Sequence, residues 1–193
     1  PNRASLSSFP FSKLENNMKI AFTMSRDLGR TDQLLAEAAK DLESCGIRTC
    51  GTVQINSDRE DCHACDMDVK VLPNGPVIRI SQSLGKEAKG CRLDPSALEE
   101  AVRLVGATIP SGSDLLIINK FGKHEAEGRG FREVIAEALS QNIPVLVELN
   151  QLNAMAFEEF TSGMAVSLPP EKSKIVEWGK TVSKCLAMEY RAS

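Results

Sequence analysis

The sequence predicts a three-layer α/β protein with a mostly parallel sheet, and three observations carry that expectation. Short apolar runs alternate with longer amphipathic ones from residue 18 onward, the pattern of a parallel sheet covered on both faces. The run Ser113-Asp114-Leu115-Leu116-Ile117-Ile118-Asn119 is almost continuously apolar, as a central strand buried on both sides must be. Only Pro73-Asn74-Gly75 joins two strand-like runs tightly, so one inserted β-hairpin is the only antiparallel signal.

The elements follow in order. Residues 18–24 read as a strand. Residues 31–45 set Leu34, Leu35, Ala38, Leu42 and Cys45 on one helical face, with Gly46 as the stop. A strand near 47–54 runs into a polar loop from Asn56 to Asp61, and the hairpin spans 67–72 and 76–81. Asp94-Pro95 opens a helix to about Ala107, because Asp accepts from free amides and Pro suits the first helical position. Leu98, Val102 and Val105 face inward on it. After the central strand come a helix over 130–141, a strand from Pro144 to Leu149, helices over 152–161 and 170–190, and a short strand at 164–168 between them. Residues 18–193 form one domain, and residues 1–17 are read as an extension upstream of Met18.

Composition narrows the class of function. The 193 residues are 42% hydrophobic and 25% charged with a net charge of −3, which excludes a general nucleic-acid or membrane-surface binder. Aromatic residues, at 5%, are too sparse for a base-stacking platform. Residues 1–17 carry no uninterrupted apolar segment of the secretory kind. A cytoplasmic protein with reduced thiols is the expectation.

Positive charge and glycine nevertheless collect in three loops expected at the carboxyl edge of the sheet, where ligands of open parallel sheets lie. The first holds Arg26, Gly29 and Arg30; the second Gly85, Lys86, Lys89, Gly90 and Arg92; the third Lys120, Gly122, Lys123, Gly128, Arg129, Gly130 and Arg132. Glycine admits close approach of backbone amides and the cations supply counter-charge, so a phosphate or similar oxyanion is the matching ligand. The plain alternative is solvated turns. Within the first loop, Met24-Ser25-Arg26-Asp27-Leu28-Gly29-Arg30-Thr31 has the spacing of a P-loop between strand and helix. It keeps the second glycine and the hydroxyl of Thr31, but has Met24 for the first glycine and Arg30 for the lysine.

With these residues in place, the order of elements over most of 18–168 resembles the small P-loop nucleoside triphosphatases of the thermophile THEP type. That family follows its central strand with Asp-Glu-Ile-Gly-x-Met-Glu, where this chain has Asn119-Lys120-Phe121-Gly122-Lys123-His124-Glu125. More closely, the runs Ile80-Ser81-Gln82-Ser83-Leu84-Gly85, Gly90-Cys91-Arg92-Leu93-Asp94 and Asn119 to Gly130 resemble a bacterial domain family of unknown function that is associated with molybdate transport. The resemblance implies a P-loop fold and a nucleotide site, with Mg2+ accompanying the nucleotide. Asn119 for the metal-associated Asp and Lys120 for the catalytic Glu make the site three charge units more positive than the family pattern. Lysine there would partly replace the magnesium. Binding without fast hydrolysis is therefore expected, with Glu125 the candidate base of a slow triphosphatase.

Six cysteines complete the inventory. Cys62-His63-Ala64-Cys65 has the spacing of a zinc half-site or redox dithiol, and Cys91 is a distant third thiol. Zn2+ or molybdate handling through Cys62, Cys65 and Cys91 is the metal alternative, against spare loop thiols. Cys45, Cys50 and Cys185 are read as small core residues and Trp178 as packing. The expected ligand set is Arg26, Gly29, Arg30, Thr31, Arg92, Asn119, Lys120, Gly122, Lys123, Gly128 and Arg129 around a small anion. A protein partner or a second copy of the chain is left open.

Overall fold

A computed structural model describes residues 19–24, 30–57, 66–82 and 93–192. The chain runs β1 (Ile20–Thr23), α1 (Arg30–Ser44), β2 (Thr49–Ser57), β3 (Asp66–Leu72), β4 (Val77–Arg79), α2 (Pro95–Gly106), β5 (Leu115–Phe121), α3 (Lys123–Ala126), α4 (Arg132–Ser140), β6 (Val145–Leu149), α5 (Ala154–Thr161), β7 (Val166–Leu168) and α6 (Lys172–Ala192). The seven strands form one sheet in the order β4-β3-β2-β5-β6-β1-β7. β2, β5, β6, β1 and β7 are mutually parallel, and β3 and β4 extend the sheet antiparallel past β2.

The strand period of two sorts the core into two layers. Ala21, Leu115, Ile117 and Leu146 point toward α1 and α6, where Leu35, Ala38, Leu42, Ile175 and Trp178 cover them. Ile20, Leu116, Ile118, Val145 and Val147 point the other way, under Leu98, Ala101 and Val105 of α2, Val134, Ile135 and Ala138 of α4, and Phe157 of α5. β5 and β6 are apolar on both sides for this reason, and each buried Leu, Ile or Val contributes roughly 1.5–3 kcal/mol.

Two strands outrun their sequence expectation. β2 continues to Ser57 because its first half pairs with β5 and its second half pairs with β3 from Gly51 to Ser57. The antiparallel part of the sheet is therefore three strands wide, more than the hairpin alone. β5 continues two residues past Asn119 because Phe121 is fully buried against the rings of Phe157, 5.1 Å away, and Phe160. Cys50 is core, and burial pushes its thiol pKa up. Cys45 is exposed, contrary to expectation, because it lies one residue beyond the last turn of α1. Residues 1–17 lie outside the described residues. No helix among the described residues is long and apolar enough to cross a membrane.

Gly51 of β2 pairs with Ile117 of β5. Its φ is +111°, and a methyl group there would collide with the Ile117 carbonyl. Gly51→Ala is expected to destabilise the fold by roughly 2–4 kcal/mol, against about 1 kcal/mol for Asp94→Ala, which removes the cap that accepts from the Ser96 and Ala97 amides. Urea unfolding of the two variants measures both.

Candidate functional site

The last α1-facing positions of the central strands break the apolar rule together. Two residues beyond Ala21, Ile117 and Leu146 stand Thr23, Asn119 and Glu148, at the carboxyl ends of β1, β5 and β6. Thr23 and Glu148 are register partners across β1 and β6. The first turn of α1 meets this edge with Thr31 and Asp32. All five are buried: Thr23 is 0%, Thr31 2%, Asp32 4%, Asn119 3% and Glu148 9% exposed.

Asn119 Nδ2 donates to Asp32 Oδ1 at 3.0 Å, a buried bond that ties α1 to β5. An ionised carboxylate only accepts, so the amide nitrogen must face it. That leaves Asn119 Oδ1 without a partner among the described residues, and Glu148 Oε2 and Thr23 Oγ1 have none there either. Lys120 Nζ lies 3.9 Å from Glu148 Oε1. Burial pushes the Glu148 carboxyl up to about 7, against the pull of the Lys120 ammonium and with the neighbouring Asp32 adding to the rise. The Asn119–Lys120 peptide is cis, and the β5–β6 register shifts between Ile118 and Phe121.

Asp32 and Glu148 were not singled out by the sequence, and they alter the charge of the site. Two carboxylates beside Asn119 offset only part of the negative charge that Asn119 and Lys120 remove relative to the triphosphatase pattern. The signal for Glu148 was present, a lone carboxylate in Val145-Leu146-Val147-Glu148-Leu149, where every position is buried. Asp32 gave no such signal, since an acidic first turn is ordinary for any helix. Buried oxygens from a hydroxyl, an amide and two carboxylates are a donor set for a hard divalent cation, and the unpartnered Asn119 Oδ1 and Glu148 Oε2 fit one.

The third loop is built differently from its expectation. Glu125 Oε2 accepts from the Gly122 amide at 2.8 Å and Oε1 from the Phe131 amide at 3.0 Å, and the residue is 3% exposed. Both oxygens hold the loop, an arrangement of a staple and not of a base open to a substrate. The Gly122 amide is thereby occupied, and the Gly128 amide bonds the Glu125 carbonyl, so neither is free to cradle a ligand. Lys123 and Arg129 are exposed and both pair with Glu127. Arg132 lies over the Phe160 ring, 4.4 Å from its centre. Of the loop's cations, Lys120 alone among the described residues pairs with a member of the buried cluster, Glu148.

Arg26, Gly29, Arg92, Cys62, Cys65 and Cys91 lie outside the described residues, as does the Arg30 side chain. Among the described residues no group of three or more His, Cys, Asp or Glu is close enough to hold a metal ion.

Sheet order, crossovers and the polar edge facing α1 define the class as a P-loop nucleoside-triphosphatase-like α/β fold. A solved human structure, "Solution Structure of a Human Cancer-Related Nucleoside Triphosphatase", superposes with a TM-score of 0.59, covering 86% of this chain and 96% of that one at 18% identity. The chain belongs to the family described as "Protein of unknown function (DUF2478)", whose model matches residues 20–178. It is 35% identical over 175 residues to the "Molybdenum import ATP-binding protein ModC 2" of Bradyrhizobium diazoefficiens. The match takes in 90% of this chain but only 19% of that protein's length.

Two predictions follow from this geometry. Glu125→Ala leaves two buried amides without acceptors and is expected to destabilise by roughly 2–4 kcal/mol in urea unfolding. Glu148 has a native pKa raised above its unfolded value, so its carboxyl favours the fold when protonated. Stability from this group is fullest below about pH 4.5 and is lost as pH rises toward 7, by about 3 kcal/mol in all. In chelator-treated protein, Glu148→Gln is expected to remove that part of the slope between pH 4.5 and 7; parallel stability curves would contradict it.

Proposed function

We propose that the protein binds a nucleoside triphosphate with a divalent cation at the carboxyl edge of the sheet, and that hydrolysis is slow. The carrying observation is the buried cluster of Thr31, Asp32, Asn119 and Glu148 at the start of α1, beside Lys120, in which Asn119 Oδ1 and Glu148 Oε2 have no partner among the described residues. Thr31, Asp32, Asn119 and Glu148 are the residues that would hold Mg2+, which would neutralise the carboxylates and carry phosphate oxygens. Lys120 would face the terminal phosphate. Arg26, Gly29, Arg30 and Arg92 complete the proposed cradle, and Lys123 and Arg129 stand at its rim.

The ATP-binding relative and the triphosphatase neighbour support the ligand class. The two carboxylates favour a cation-bound nucleotide over a bare oxyanion, because an anion placed against Asp32 and Glu148 alone would be repelled. Slow turnover follows from the occupied oxygens of Glu125, which leave the loop without an open base.

The test is thermal unfolding with ATP, GTP, phosphate and molybdate, each with and without Mg2+. A nucleotide at a hundred times its Kd should stabilise by ~2.7 kcal/mol, roughly 5–10 °C for a domain of this size. The expected shift needs Mg2+, falls about tenfold in affinity in Lys120→Ala, and loses its Mg2+ dependence in Asp32→Asn. A shift with molybdate alone would instead favour oxyanion handling through Cys62, Cys65 and Cys91. Fast phosphate release abolished by Glu125→Gln would restore that residue as a base.

A further inference from the structure

Across the sheet from α1, a cavity of about 430 Å3 opens between β3, α2 and the loop that follows β5. Its floor is apolar. Val69 is 1%, Ile80 6%, Leu98 6% and Phe131 2% exposed, and Met67 adds a half-buried, adaptable side chain. Its rim carries Lys120, Lys123, His124 and Arg129. Among the described lining residues Glu125 is held by backbone amides and Glu127 pairs with Lys123 and Arg129, which leaves Lys120, 3.9 Å from Glu148, as the cation not paired within the rim. An apolar well of this volume with a cationic mouth has the dimensions and polarity of a small-molecule site.

We propose that this cavity binds a small amphipathic anion: a ring-sized apolar body with one carboxylate or sulfonate-like group. The body would lie on Val69, Leu98 and Phe131, and the anionic end would meet Lys120. Burial of the body supplies affinity, and the Lys120 ammonium at the mouth supplies orientation. A neutral ligand would forgo the attraction of the Lys120 ammonium, and a bare phosphate would leave the apolar floor wet. The site is separate from the proposed nucleotide site. Thr31, Asp32 and Glu148 do not line it, and among the described residues the two share Asn119 and Lys120, with Lys123 and Arg129 at both rims. The inference does not depend on nucleotide binding.

The experiment is calorimetric titration of the full chain with benzoate, indoleacetate and naphthoate, against benzyl alcohol, indole, naphthol and inorganic phosphate. At least one aromatic acid is expected to bind saturably, one per chain, about tenfold tighter than its neutral counterpart and than phosphate. Met67→Trp, which fills the floor, and Lys120→Met, which keeps the stem and removes the charge, should each weaken it about tenfold while circular dichroism stays native. Should Met67→Trp fail to fold, Lys120→Met carries the test. Equal affinity for acids and neutral counterparts, no change in Lys120→Met, or no saturable binding at millimolar concentration would overturn the proposal. Undiminished acid binding in protein that ignores ATP would uphold this site and reject the nucleotide reading alone.

Discussion

The hydrogen bond from Asn119 to Asp32 fixes the geometry on which the candidate site depends. It joins the first turn of the first helix to the end of the central strand, inside a layer where water does not compete. Aspartate at position 119 would set a third carboxylate against Asp32 and Glu148, so the amide is the residue that permits a buried acidic neighbour. The departure from the triphosphatase pattern at 119 is thus matched by Asp32 on α1. Lys120 repeats the logic one residue later, placing its ammonium toward Glu148 on β6. Negative charge thus stands on the helix and the strand on either side of Asn119.

That rearrangement separates two tasks that one loop was expected to perform. The loop after β5 is held by its own groups: Glu125 staples Gly122 to Phe131, Glu127 gathers Lys123 and Arg129, and Arg132 rests on Phe160. Gly130 belongs to the same construction. Its φ of +58° and the approach of Glu125 Oε1 leave no room for a side chain there. Such a loop presents Lys120 in a fixed place while its remaining charges compensate one another.

The fold was legible because its period is written in the apolar residues. The run Leu115 to Ile118, the helix stop at Gly46 and the hairpin turn at Asn74-Gly75 each follow from local rules, and each element lies where those rules put it. The site was legible only where chemistry coincided with motif, at Thr31, Asn119 and Lys120. Glu148 belongs to no motif and stands alone among apolar neighbours, although a buried strand tolerates a carboxylate only for a reason. Asp32 and the roles of Glu125 and Glu127 depend on which backbone amide or cation lies opposite, a tertiary fact that spacing along the chain does not encode.

The antiparallel extension settles how the sheet ends. β2, nine residues long, would be an inviting template for another chain if it stood at the border, and β3 covers its outer half. The border itself is β4, three residues that begin directly after Pro76 and carry the charged Arg79. A margin so brief, with a residue beside it that has no amide hydrogen to give, offers little for a second sheet to grow upon. The insertion thereby guards the molecule against cross-strand polymerisation in a crowded solution, whatever it contributes to ligand recognition.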